Sequence, residues 1–128
     1  MKILGIDYGR SKIGLALSEG KLAEPLKVVH YKEVGEVIKK IVWIVEEEVV
    51  GKVIVGVSEG EMGKESKNFS LNLSKSLSIP VETFDETLST KGAQTLSIEA
   101  GIKRGKRKKM EDAFAATLTL QDYLDSQA

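Results

Sequence analysis

The sequence predicts a single α/β domain over residues 1–128, built on a five-stranded mixed sheet with helices on both faces. Three short strand-like segments open the chain in succession, which is typical of an antiparallel meander. Helical and strand-like segments then alternate, which predicts two further strands that are parallel. A chain of 128 residues has the usual length of one domain, and it contains no internal repeat, linker or low-complexity tract.

The first two strands are predicted from alternating apolar residues. Residues 2–7 place Gly5 and Asp7 on one face and large aliphatic side chains on the other. Gly9 permits a tight turn, after which Ile13–Leu17 forms the second strand. The other face of this second strand carries small side chains, at Gly14, Ala16 and Ser18. A helix or a ligand can therefore approach that face closely.

The remaining elements follow from apolar spacing and from breaker residues. In chain order we expect a strand at Leu26–Tyr31, a helix at Glu33–Val49, a strand at Lys52–Val57, a helix at Lys64–Leu77, a strand at Val81–Phe84 and helices at Lys91–Ala100 and Met110–Leu124. Ser58–Gly63 is predicted as a flexible loop beyond the carboxyl end of a parallel strand. Such strand ends are favoured ligand positions in open α/β sheets.

The helix at Glu33–Val49 carries the only tryptophan, Trp43. Its apolar stripe is predicted at Val34, Ile38, Ile41 and Val45, with Val37 and Val49 beside it. Trp43 projects roughly opposite that stripe, and the expectation is that a neighbouring element covers it. The alternative is an exposed anchor for a protein partner, because Trp is over-represented at interface hot spots.

The composition excludes several classes of protein. Hydrophobic residues make up 41% and charged residues 30%, which is ordinary for a globular domain. The absence of cysteine excludes disulfides, thiolate metal sites and a cysteine nucleophile. No apolar run reaches the roughly 20 residues of a membrane span, and the short apolar start does not fit a signal peptide. A cytoplasmic location with no membrane association is therefore expected.

Positive charge is concentrated in one segment, Lys103–Lys109. It holds six of the 19 basic residues, so the other 13 face 19 acidic residues, a net charge of −6. The basic residues of this segment are Lys103, Arg104, Lys106, Arg107, Lys108 and Lys109. Such a cluster indicates a localised anionic partner such as nucleic acid; a solvated loop that only aids solubility is the alternative.

Three carboxylates stand at the ends of predicted elements: Asp7, Glu86 and Asp112. They converge if the last strand lies beside the first and the last helix packs over both. Converging carboxylates repel unless cations lie between them, and oxygen ligands without His or Cys favour Mg²⁺ or Mn²⁺. Two such ions are a common apparatus for phosphodiester hydrolysis. In the alternative, Asp112 only favours a helix N-terminus and Glu86 is a polar turn residue.

Three blocks of sequence resemble one known family. They are Gly5-Ile6-Asp7-Tyr8-Gly9 with Lys12-Ile13-Gly14-Leu15-Ala16-Leu17-Ser18, then Asp85-Glu86-Thr87-Leu88-Ser89-Thr90, then Lys106–Lys109 with Glu111-Asp112-Ala113-Phe114-Ala115-Ala116. In this order they are similar to the YqgF/RuvX family of the RNase H-like superfamily, and the resemblance spans nearly the whole chain.

The resemblance implies an RNase H-like fold with Asp7, Glu86 and Asp112 as catalytic metal ligands for two Mg²⁺ or Mn²⁺ ions. It implies hydrolysis of nucleic-acid phosphodiester bonds, either in maturing the 5′ end of precursor small-subunit ribosomal RNA or in resolving Holliday junctions. Lys12 stands where the family usually has arginine, so it is a predicted nucleic-acid-binding residue that meets a phosphate; the alternative is that it simply faces water. A fourth ligand is left open among Glu111, Glu59 and Asp85.

The chain departs from the family pattern in two further places, and other functions stay open. Thr87 replaces an arginine, and the loop that begins at Gly56 lacks the family's proline and asparagine. A nucleic-acid binder without catalysis is therefore an alternative. So is a phosphotransferase fragment of the actin-like class, although that class needs a second domain. A homodimer would suit symmetric cleavage of a junction.

Overall fold

The structure is a computed structural model that describes residues 1–85 and 109–127. Its strands are β1 (Lys2–Asp7), β2 (Lys12–Glu19), β3 (Ala23–His30), β4 (Val50–Val57) and β5 (Val81–Asp85). Its helices are α1 (Val34–Glu48), α2 (Gly60–Ser76) and α3 (Glu111–Ser126). The predicted helix at Lys91–Ala100 lies outside the described residues.

The strands form one sheet in the order β3-β2-β1-β4-β5. The first three are antiparallel, while β4 is parallel to β1 and β5 is parallel to β4. This confirms the predicted meander with two parallel strands. The last strand does not lie beside the first, which was the condition for convergence of the three acids, because β4 separates β5 from β1. A buried apolar strand such as Val53–Val55 gains most in the middle of a sheet, where both faces are covered.

Helices cover both faces of the sheet, as predicted. Under α1 and α2, large aliphatic side chains such as Leu4 and Leu15 form the main core. Under α3, a smaller cluster includes Ala16, Ile54 and Leu120. Among the described helices, none is long and apolar enough to cross a bilayer.

The small-sided face of β2 receives α3, which confirms the close approach expected there. A Cβ on Gly14 would overlap the backbone carbonyl oxygen of Asp112, the second residue of α3. A Cβ on Gly5 in β1 would lie 2.9 Å from the Cβ of Leu120, two turns further along the helix. The two glycines let the helix backbone lie almost directly on the strands.

The buried stripe of α1 is rotated relative to the prediction. Its buried residues are Val37, Ile41, Ile44 and Val45, whereas Val34 and Val49 are exposed. Trp43 is 56% exposed, so the expectation that a neighbouring element covers it is wrong. Two of the buried residues, Ile41 and Ile44, are three apart and face the sheet together, which turns Trp43 to the outside.

Two boundaries also differ from the prediction. The third strand begins three residues early, at Ala23, because Pro25 is tolerated on the edge strand of a sheet. The expected loop Ser58–Gly63 is shorter, since α2 already begins at Gly60. A Cβ at Gly63 would overlap the carbonyl oxygen of Ser58, so the first turn of α2 packs against the strand end that precedes it.

Candidate active site

Asp7 is the last residue of β1 and lies between two glycines. It pairs with Gly14 on β2 and with Gly56 on β4. Gly5 contacts α3, and residues two apart on a strand share a face, so Asp7 belongs to the α3 face of the sheet. Neither neighbouring strand places a side chain beside the half-buried Asp7. The two strand partners of Asp7 are therefore both glycines, which have no side chain.

Asp112 reaches the same place from α3. Gly14 is the strand partner of Asp7 and also contacts the backbone of Asp112. Paired residues of antiparallel strands have Cα atoms about 5 Å apart. The first turn of α3 therefore lies over the β1–β2 pair at the level of Asp7. The backbones of two of the three predicted acidic residues therefore come together at a single glycine.

Lys12 forms an ion pair within this site. Its Nζ lies 3.0 Å from Oδ2 of Asp112. The Lys12 side chain is 47% exposed and that of Asp112 is 29% exposed, so the pair lies at the solvent edge. Lys12 and Gly14 are two residues apart on β2 and share the α3 face. The predicted phosphate-binding lysine is therefore the partner of a predicted metal ligand.

The turn between β1 and β2 is held by contacts that the sequence did not indicate. The Tyr31 hydroxyl donates a hydrogen bond to the carbonyl of Gly9, and the Tyr31 backbone N–H donates to the carbonyl of Ser11 at 2.9 Å. The ring of Tyr8 packs on Phe69 of α2, with centroids 5.0 Å apart. These contacts fix the segment that joins Asp7 to Lys12.

Burial, followed by the interaction with Tyr8, raises the pKa of the Tyr31 phenol to about 12. The hydroxyl therefore stays protonated and donates to Gly9 over the whole physiological pH range.

Arg10, at the tip of the same turn, binds Glu65 of α2. Its Nε donates to both carboxylate oxygens, at 3.0 and 3.1 Å, and Nη2 donates to Oε2 at 2.6 Å. Hydrogen bonding to Arg10 lowers the pKa of Glu65, and the same bonds raise that of Arg10. The geometry is the bidentate pairing that a guanidinium makes with a carboxylate. It ties the turn to a helix of the opposite face.

The remaining predicted site residues divide into two groups. Glu86 and the basic residues Lys103, Arg104, Lys106, Arg107 and Lys108 lie outside the described residues. Lys109 is exposed and stands just before α3.

The three candidates for a fourth ligand are now distinguishable. The strand pairing aligns Phe84, not Asp85, with Gly56 and Asp7, so Asp85 belongs to the other face of the sheet. Glu59 lies at the exposed start of α2. Glu111 adjoins Asp112 at the start of α3 and is half-buried. Position in the fold therefore favours Glu111.

A crevice of about 480 Å³ lies beyond the carboxyl ends of β4 and β5. Ser58 and Thr83 contribute hydroxyls, Phe84 an aromatic ring, and Lys64 and Lys67 of α2 positive charge. This is the position that the sequence predicted for a ligand crevice in an open α/β sheet. Val57, which lines it, is the residue after Gly56, the β4 partner of Asp7.

The donor set around Gly14 fits a hard divalent cation. Asp7 and Asp112 offer carboxylate oxygens, which Mg²⁺ and Mn²⁺ prefer. No group of three His, Cys, Asp or Glu side chains forms a metal cluster within residues 1–85 and 109–127. A Cβ at residue 14 would overlap the backbone carbonyl of Asp112, so glycine at this position lets the start of α3 lie at the level of Asp7.

The fold is shared with solved resolvases. T. thermophilus RuvC in complex with a Holliday junction substrate aligns over 100% of this chain and 97% of its own, with a TM-score of 0.70 and 19% identity. The fowlpox virus resolvase in complex with Holliday junction DNA aligns over 99% of each chain, with a TM-score of 0.69 and 14% identity. The domain is thus an RNase H-like fold of the resolvase type, as the resemblance implied.

The family follows from sequence comparison. The model of RuvX, described as Holliday junction resolvase, matches residues 1–126. A protein of Desulforamulus reducens is 35% identical over 100% of this chain and 99% of its own, and one of Caldanaerobacter subterraneus subsp. tengcongensis is 40% identical over 99% and 98%. Both carry the provisional name pre-16S rRNA nuclease. The chain belongs to the RuvX family, a family of nucleases.

Proposed function

We propose that this protein is a divalent-metal-dependent nuclease whose metal ligands are Asp7, Glu86 and Asp112. The observation that carries the proposal is that Gly14, the strand partner of Asp7, contacts the backbone of Asp112, so the two acidic residues lie close together in the fold. Glu86 directly follows the last residue of β5, Asp85, in the sequence. In the sheet, β5 lies two strand spacings, about 10 Å, from β1.

The described residues prepare this site in distinct ways. Two Mg²⁺ or Mn²⁺ ions would supply an activated water and neutralise the charge on the leaving oxygen. Asp7, at the end of β1, and Asp112, in the first turn of α3, would hold these ions. Lys12, Lys109 and the basic residues from Lys103 to Lys108 hold the phosphates of the substrate, so binding should weaken steeply with salt.

The substrate we favour is precursor small-subunit ribosomal RNA, cleaved at its 5′ end. The names of full-length relatives at 35–40% identity support this choice. Branched DNA is the second candidate, supported by the description of the family and by the two resolvases of the same fold. The proposal places the activity in the cytoplasm, in accord with a chain that has no cysteine.

A homodimer belongs to the same proposal. Two symmetric cuts in a junction require two sites, and the exposed Trp43 on α1 offers a large aromatic surface of the kind found in interfaces. Sedimentation velocity of the intact chain distinguishes a dimer from a monomer.

The deciding experiment compares cleavage of the two substrates by the same preparation. Purified protein is incubated with precursor 16S RNA and with a four-way DNA junction, in Mg²⁺, in Mn²⁺ and in EDTA. Metal-dependent cleavage of the RNA at its 5′ side supports the favoured function, and symmetric nicking of the junction supports the second. If the protein binds either substrate but cleaves neither with any metal, the result supports a nucleic-acid-binding protein without catalytic activity.

Asp7→Asn is expected to abolish cleavage and leave nucleic-acid binding largely intact, because it removes a metal ligand and no phosphate contact. Cleavage is followed on gels and binding by fluorescence anisotropy. Glu47→Gln removes the same charge from an exposed position on α1 and is the matched control, with activity unchanged. Full cleavage by Asp7→Asn would contradict the mechanism.

A further inference from the structure

The ion pair of Lys12 with Asp112 puts a cation where a metal ligand is proposed. Lys12 Nζ lies 3.0 Å from Asp112 Oδ2. Gly14, two residues along the same strand, brings the backbone of Asp112 onto β2. The ammonium, the carboxylate and Asp7 therefore belong to one small region of the sheet. Within this region Lys12 is the counter-ion of the Asp112 carboxylate.

This pair is open to exchange. Both side chains retain exposure, 47% for Lys12 and 29% for Asp112, and ion pairs at such positions are weak. An ammonium and a divalent ion repel each other when they share one carboxylate. Lysine carries its charge on a flexible four-carbon stem, so it can leave a partner without moving the backbone.

We infer that Lys12 is a built-in counter-ion of Asp112 that a divalent ion displaces, and that the released ammonium then meets a phosphate of the bound nucleic acid. This inference rests on the proposed metal site. It gives Lys12 two successive partners, Asp112 before metal binding and a phosphate after it. Metal loading thereby prepares the site to hold its substrate, because the positive charge becomes available only when the carboxylate has its ion.

The first test measures the affinity for Mn²⁺ alone, by titration calorimetry at constant ionic strength. Lys12→Met removes the competing ammonium and is expected to bind Mn²⁺ about three-fold more tightly than the wild type, the size expected for the loss of one exposed ion pair. Lys109→Met is the matched control, since Lys109 is exposed near the same end of α3 and has no described pairing with Asp112. It should change the affinity less.

Two outcomes of this titration overturn the inference. Unchanged or weaker binding of Mn²⁺ by Lys12→Met means that the lysine does not compete for the carboxylate. An equal gain in Lys109→Met means that only the general charge near α3 matters.

The second test follows the Lys12 amine itself. The wild-type protein is acetylated with and without Mg²⁺, and the rate at Lys12 is read by mass spectrometry. Release of the amine predicts faster acetylation in Mg²⁺, and Asp112→Asn should show the fast rate without metal. Lys39, exposed on α1, provides the internal reference within the same sample. An equal rate at Lys12 with and without Mg²⁺ overturns the exchange.

Failure of the exchange is distinguishable from failure of the proposed metal site. If the wild type binds Mn²⁺ and Asp7→Asn does not, the proposed metal site is supported. An unchanged affinity of Lys12→Met for Mn²⁺ then refutes only the exchange of Lys12. If the wild type binds neither Mn²⁺ nor Mg²⁺, both proposals fall.

Discussion

The two faces of the sheet differ in side-chain size where β1 and β2 run side by side. The face under α1 and α2 is lined by large aliphatic residues such as Leu4, Ile6 and Leu15, all almost fully buried. The face under α3 has glycine or alanine at three paired or neighbouring positions, Gly5, Gly14 and Ala16. The first face buries far more apolar surface and should contribute most of the hydrophobic stabilisation.

Because of this difference, the face under α1 and α2 provides most of the stability, and the face under α3 carries the proposed site. Large side chains keep α1 and α2 away from the strand backbone, and the space between is filled by a packed core. Small residues bring α3 so close that Asp112 reaches the level of Asp7. Small residues at these positions allow two acidic residues to lie near each other, but they bury little apolar surface. The large side chains of the opposite face provide the stability instead.

Leu4→Ala tests the first face and should have the largest effect on stability. Leu4 is fully buried, and truncation should lower the free energy of unfolding by about 4 kcal/mol. Urea denaturation measures the loss, and Leu71→Ala, at an exposed position of α2, is the control with little change. The affinity of the folded variant for Mn²⁺ should equal that of the wild type. A clear loss of affinity would show that the two faces are not separable.

Gly14→Ala tests the second face. The added methyl overlaps the carbonyl of Asp112, so α3 must shift, at a cost of about 3 kcal/mol, the upper range for overpacking. Asp112 moves with the helix, and affinity for Mn²⁺ should fall together with stability.

Gly35→Ala is the control for this change. Gly35 lies in α1 with open space where a Cβ would be, so alanine should stabilise the helix by about 0.5–1 kcal/mol without altering metal binding. If Gly14→Ala binds Mn²⁺ as tightly as the wild type, the close contact of Gly14 with the backbone of Asp112 is not required for the metal site.

Tyr31→Phe should have the smallest effect at neutral pH, about 1 kcal/mol, because it removes one hydrogen bond to Gly9. The pH dependence is more specific. The pKa of Tyr31 is about 12 in the folded protein against 10.0 for a free tyrosine. A raised pKa gives stability that is complete below pH 10 and is lost as the pH rises towards 12.

The wild type should therefore lose more unfolding free energy than Tyr31→Phe between pH 10 and 12. Urea titrations at several pH values give the two curves, and subtraction removes the titration of other groups. Parallel curves over that range would refute the role of the phenol.

Much of the fold could be read from local pattern. Alternation in residues 2–7 assigned Gly5 and Asp7 to one face, and small residues on β2 indicated a close neighbour. Helix periodicity placed α1 to within a residue at each end. It did not give the rotation of that helix, since Val34 and Val49 have the same apolar character as Val37 and are exposed. Which valines are buried depends on how the helix meets the sheet.

The order of the strands in the sheet is also not predicted by local sequence pattern. Pattern predicts that two later strands are parallel, but it does not say which of them lies beside β1. The chain inserts β4 between β1 and β5, so the path from Asp7 to the end of β5 crosses Gly56. Contacts between residues far apart in the chain depend on this order, which the local pattern does not encode.

By itself, the sequence determined the elements, the small-residue face and the acids at the element ends, because spacing and side-chain volume act locally. Only the tertiary structure decided what those residues meet: Asp112 over Gly14, Lys12 on Asp112, and Tyr31 on the turn between them. Such pairings form when distant segments pack together, and no single segment specifies them. The lysine shows this most clearly, since its charge was evident from the sequence and its partner was not.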